Sequence, residues 1–217
     1  MSDERPERTW TQHLRQASFK APIRSDGPVT LGAIVLVMWL VQVANALDGY
    51  RLDRDGIYAR NITRFWGILS SPFIHASFQH LFDNTIPFVV LGLIIALQGA
   101  RRLLIVTGFI AVVGGFGTWL IGPGNASTIG ASGIVFGYAT YLMARGFFDR
   151  RLWELAVGML VALVWGAVLL ASLAPHAGIS WQDHLCGAVA GVIVAWRLAR
   201  SDQRHAAAVA GAGSGAA

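Results

Sequence analysis

The chain has 217 residues, of which 54% are hydrophobic and only 13% charged, with a net charge of +5. A soluble domain carries about a quarter charged residues, so this composition excludes an ordinary water-soluble globule and points to a bilayer. The basic residues are scattered beside apolar runs, which argues against a nucleic-acid partner, and the single cysteine, Cys186, excludes a disulfide framework or a cysteine-built metal site.

Residues 1–28 are polar, contain proline and lack an apolar core, so they read as a retained cytoplasmic segment and not as a cleavable signal peptide. Six apolar stretches follow, at about 29–47, 79–98, 102–121, 131–145, 152–174 and 181–199. Most approach the roughly 20 residues that a helix needs to cross the hydrocarbon, which predicts an all-α, six-helix membrane domain over 29–199. The long segment between the first two, about 48–78, mixes Asp and Arg with Tyr58, Phe65, Trp66, Ile68, Leu69 and Phe73, a composition suited to lying in the interface. Within it, Ser71-Pro72 reads as an N-cap followed by proline at the first helical position. Pro87 predicts a bend in the second helix. The fourth helix opens with Gly130-Ala131-Ser132-Gly133, too small and polar to face lipid, so it is expected to start inside the bundle. Residues 200–217 are expected to form a flexible cytoplasmic tail, because the stretch from His205 onward is Ala/Gly/Ser with nothing to bury.

With the N-terminus inside, thirteen of the 17 Lys and Arg fall on the cytoplasmic side, Arg145 among them, and the other four, Arg51, Arg54, Arg60 and Arg64, fall in the first outer loop. The positive-inside rule therefore places both termini in the cytoplasm. In that arrangement helices 2, 4 and 6 all run from outside to inside, and their openings carry the unusual chemistry: His80 and Asn84, then Ser132, then His184. Polar and ionisable residues in membrane helices are expensive, and by default they are functional candidates.

Gly133-xxx-Gly137 on helix 4 and Gly187-xxx-Gly191 on helix 6 are small-residue faces that let two backbones approach closely. If they meet, the Ser132 hydroxyl and the His184 imidazole become neighbours, and a neutral imidazole can activate a serine near neutral pH. His80 and Asn84, four residues apart, share one helix face. With the Ser132 backbone N–H they are candidates to surround a tetrahedral oxyanion, and interhelical hydrogen bonding that holds the bundle is a compatible alternative. His75 reads as a support for the loop or site. Asp183 points away from its neighbour His184 and suits a helix-start cap with Ser180. Asp83 is expected to pair with an outer-loop arginine.

Three motifs together resemble the rhomboid family of intramembrane proteases: Gly130-Ala131-Ser132-Gly133 (GxSG), His80 to Asn84 (HxxxN) and His184 to Gly187 (HxxG). The resemblance covers about 29–199 and implies a six-helix rhomboid-like bundle in the plasma or inner membrane, with the first outer loop embedded sideways. It implies Ser132 as nucleophile, His184 as base, and His80, Asn84 and the Ser132 amide at the oxyanion. Gly130, Gly133, Gly137, Gly187 and Gly191 become helix-packing support. The implied substrates are single-span membrane proteins, with no cofactor, no metal and no nucleic acid. Phe136 stands where many members have a tyrosine against the catalytic histidine, and Arg64-Phe65-Trp66-Gly67 departs from the usual Trp-Arg pair of the first loop. The alternative implication is a catalytically inactive relative that binds client transmembrane helices.

Overall fold

The computed structural model describes residues 25–149, 152–174 and 180–214. Six long helices account for most of them: α1 (Asp26–Leu47), α2 (Phe78–Ala96), α3 (Ala100–Ile121), α4 (Ser132–Asp149), α5 (Leu152–Ala171) and α6 (Trp181–Ser214). Among the described residues the only β-pairing is an isolated bridge between Ile57 and Thr128. By length and composition α1, α2 and α3 are apolar enough to cross a membrane, and α5 contains a shorter apolar run.

The core lies around α4, which buries Ile134, Val135, Phe136, Tyr138, Ala139, Tyr141 and Leu142. Helix α6 packs along it through glycines. A Cβ on Gly187 would collide with the carbonyl of Gly133, and one on Gly191 with that of Gly137, so the two backbones are in contact on the faces the spacing marked. Helix α3 joins them: its stretch Ile110–Gly114 is a π-helical turn, and a Cβ on Gly114 would lie 3.1 Å from Gly187 Cα. Such turns bulge a helix locally and occur often at functional sites. Helix α1 presents Leu31, Met38, Gln42 and Asn45 inward, a stripe at helical spacing.

The segment between α1 and α2 is a chain of short turns folded against the end of α3. Arg60 donates to the carbonyls of Leu120 (2.9 Å) and Gly122 (3.1 Å), Trp119 Nε1 donates to Asn61 O (3.2 Å), and Phe65 meets Trp119 edge-on at 5.4 Å. These contacts anchor the loop without the usual Trp-Arg pair. Ile62, Trp66 and Leu69 stay exposed.

Several details differ from the sequence reading. The Ser71-Pro72 signal starts a single 3-10 turn, Ser71–Phe73, and the cap of α2 is Ser77, whose Oγ accepts from His80 N–H at 3.0 Å. Asp83 accepts from Gln79 (2.8 Å), one helical turn away, and not from an arginine. Arg145 is more than a topology signal: it is buried, with Asp149 and Glu154 each 3.0 Å away, and it also reaches Gln98 and Tyr141. Helix α6 continues past 199 to Ser214, because alanine propagates a helix that the upstream packing has already nucleated.

Candidate active site

The turn that opens α4 is held from several sides. Gly130 N–H donates to the Ser71 carbonyl at 2.9 Å, and Ala131 N–H donates to His75 Nε2 at 3.3 Å. Gly130 has φ +119°, a region open to glycine, and a Cβ there would lie 2.9 Å from His80 Nε2 and 3.7 Å from Asn84 Nδ2. Conformation and space both demand glycine at this position. The Asp183 carboxylate lies against Gly133, where a Cβ would be 2.6 Å from Asp183 Oδ2. Between Ala131 and Gly133, the N–H of Ser132 has no partner among the described residues.

His184 lies on the first turn of α6 and is 7% exposed. Its Nδ1 is 3.1 Å from the carbonyl oxygen of Ser172. A carbonyl only accepts, so Nδ1 carries the proton of the neutral ring and Nε2 keeps its lone pair. Phe136 stacks on the imidazole with centroids 4.0 Å apart and planes at 10°. Because Phe136 is one turn beyond Ser132, this stack sets the imidazole at the level of the α4 opening. Thr140 Oγ bonds Ala188 O across the same contact at 2.7 Å. Among the described residues no direct hydrogen bond joins Ser132 to His184; such bonds are commonly long at rest and tighten when substrate docks.

His80 and Asn84 occupy the face of α2 that looks at Gly130. The Asn84 amide spends one N–H on the His80 carbonyl at 3.0 Å, which leaves its second N–H to donate. His75 is fully buried, with its ring edge-on to His80 at 5.0 Å. Burial, reinforced by His80, pulls the His75 pKa from 6.5 down to about 4, so the ring is neutral and free to accept from Ala131. The site therefore gathers a hydroxyl, an imidazole with a free acceptor nitrogen and several N–H donors around the start of one helix.

Three participants were not legible beforehand. The Ser172 carbonyl is backbone and has no side-chain signal. Thr118, on α3, donates to Asp183 Oδ1 at 3.0 Å. Asp183 itself turns across to α4, while Ser180 caps α6, its backbone and hydroxyl oxygens lying 3.1 and 3.4 Å from Asp183 N.

A family model described as Rhomboid domain matches residues 63–201. The chain is 40% identical over 205 residues to the uncharacterized Mycobacterium tuberculosis protein Rv1337, covering 90% of this chain and 85% of that protein. It is 26% identical over 199 residues to the Bacillus subtilis protein named "Putative rhomboid protease YdcA" (88% and 98% covered). It is 30% identical over 180 residues to the chloroplastic Rhomboid-like protein 11 of Arabidopsis thaliana (77% and 64% covered).

Proposed function

The chain belongs to the rhomboid family, and we propose that it is an intramembrane serine endopeptidase that cuts the transmembrane segments of single-span membrane proteins. In this reading α1 to α6 each cross the bilayer of the plasma or inner membrane, with both termini cytoplasmic and the first loop embedded in the outer leaflet. At 1.5 Å per residue the 34 residues of α6 exceed the ~30 Å hydrocarbon layer, so its C-terminal turns stand in cytoplasmic water.

His184 Nε2 takes the proton of Ser132 Oγ as that oxygen attacks the scissile carbonyl, and the imidazolium then passes the proton to the leaving amine. The Ser172 carbonyl holds the tautomer this requires, and the Phe136 ring restrains the imidazole plane. The developing oxyanion lies within reach of the Ser132 N–H, the Asn84 amide and the His80 ring; removing one such donor typically lowers the rate ~10²–10³-fold. Water, activated by the same imidazole, then releases the acyl group from Ser132. The observation that carries this reading is the free Ser132 amide: the N–H groups of Gly130 and Ala131 just before it both have partners, whereas that of Ser132 has none among the described residues and is left to receive a negative charge.

The test is cleavage of a model single-span substrate by purified protein in liposomes. Wild type cuts, and Ser132→Ala abolishes cutting at an unchanged melting temperature. A serine-reactive phosphonate labels the wild type and spares His184→Ala. Cleavage by Ser132→Ala at the wild-type rate rejects the mechanism, whereas folded wild type that retains the substrate uncut selects the client-binding alternative.

A further inference from the structure

We propose that Asp183 is a positioning residue, whose buried carboxylate ties the first turn of α4 to the turn of α6 that carries His184 and so sets the distance between Ser132 and the imidazole. The inference rests on the Ser132/His184 reading above and adds the part that holds the pair in register.

Asp183 is 9% exposed, and no Lys or Arg among the described residues pairs with it. A carboxylate so placed is costly unless hydrogen bonds and local dipoles receive it. It has two such supports. Thr118 Oγ lies 3.0 Å from Oδ1, and the carboxylate sits against Gly133 in the first turn of α4, at the positive pole of that helix. Ordinarily an N-cap side chain belongs to the helix that it caps. Here α6 is capped by Ser180, so the Asp183 side chain is released to cap α4 from outside.

The geometry is exclusive. A Cβ on Gly133 would lie 2.6 Å from Asp183 Oδ2, so the glycine after Ser132 makes room for this carboxylate as well as for the α6 backbone. Adjacent positions on a helix point about 100° apart, so Asp183 and His184 face different neighbours from one turn. One lies against Gly133, the residue after Ser132, and the other meets Phe136, one turn beyond it. With Ser71 holding Gly130 and His75 holding Ala131, Asp183 at Gly133 makes a third point of support around the free Ser132 amide. Of the three supports, it alone comes from the helix that bears the base.

The test uses full-length protein in liposomes with three readouts: kcat and KM for a single-span substrate, the inactivation rate with a small phosphonate that needs no transmembrane docking, and the melting temperature. Loss of the clamp displaces reacting groups by a fraction of an ångström to an ångström, which lowers the rate by roughly 10- to 100-fold. Asp183→Ala is therefore expected to lower kcat and the phosphonate rate together by that factor with KM within about twofold of wild type. Asp183→Asn, which keeps the shape and an oxygen for the Thr118 hydroxyl, is expected to recover most of both. Thr118→Val keeps the packing and removes the donor to Oδ1, so it gives a smaller loss in the same two rates. If Asp183→Ala does not fold, Thr118→Val decides, because a wild-type phosphonate rate in that variant overturns the proposal. Equal rates for folded Asp183→Ala and wild type overturn it as well. Folded wild type that neither cuts nor labels rejects the protease reading, and this inference with it.

Discussion

Gly187→Ala tests the α4–α6 contact most directly, because the added carbon has nowhere to go. It would collide with the Gly133 carbonyl oxygen and sit 2.7 Å from the carbonyl carbon and 3.0 Å from Cα. All three atoms are backbone, so no rotamer change relieves them, and Gly114 of α3 closes the other side. Moving the carbonyl carbon from 2.7 Å to the 3.4 Å of ordinary contact needs about 0.7 Å of helix separation, and the oxygen needs more. Overpacking of this kind typically costs about 1–3 kcal/mol. The displacement falls at the site itself, since Gly133 adjoins Ser132 and Gly187 lies three residues from His184, and an ångström of misplacement lowers rates by about 10²-fold. The assay is cleavage of a single-span substrate, normalised to folded enzyme, beside a thermal melt. Gly166→Ala on α5 is the control. Nothing lies within 4 Å of its added carbon, and helix propensity favours alanine there by up to about 1 kcal/mol, so it melts no lower than wild type and cleaves normally. Gly187→Ala with wild-type melting and cleavage within threefold would refute the claim that backbone contact sets the Ser132–His184 spacing.

Phe136→Ala removes a 7%-exposed ring from the face of His184 and is expected to lose about 3–5 kcal/mol of stability along with most cleavage, while Phe136→Tyr keeps the stack and stays near wild type in the same assays. Arg145→Ala removes the buried cation that Asp149 and Glu154 each meet at 3.0 Å at the far end of α4, and is expected to lower the melting temperature. His75, neutral in the folded protein with a pKa near 4 against an ordinary 6.5, makes the fold sensitive to acid. Between those values the unfolded chain binds the extra proton, so stability is full above about pH 6.5 and falls as the pH drops toward 4, by roughly 3 kcal/mol in all. Melts of wild type across that window are expected to show the decline, and His75→Gln to flatten it.

What was readable in the sequence and what was not divide along a physical line. Ser132, His184, His80 and Asn84 stand out because polar side chains in apolar stretches are rare, and the glycine pairs stand out because helical spacing puts them on one face. Both signals are local. Asp183 is also polar and also in an apolar stretch, yet periodicity states only that it faces away from the imidazole. Its neighbours, Gly133 and Thr118, lie 50 and 65 positions upstream on other helices, and one of them has no side chain to signal the contact. Arg145 is chemically identical to the arginines that set topology, and only burial against Gln98 and Glu154 separates it from them. The π-helical turn of α3 ends at Gly114, where that helix meets Gly187, a contact that exists only once α6 is in place. The groups proposed to react thus announce themselves one helix at a time, whereas the groups proposed to align them are defined by contacts between helices. Substitutions in the first class are therefore expected to remove chemistry at constant stability, and those in the second to change rate and stability together. Asp183→Asn is the informative exception, because it removes the charge while keeping an oxygen for the Thr118 hydroxyl.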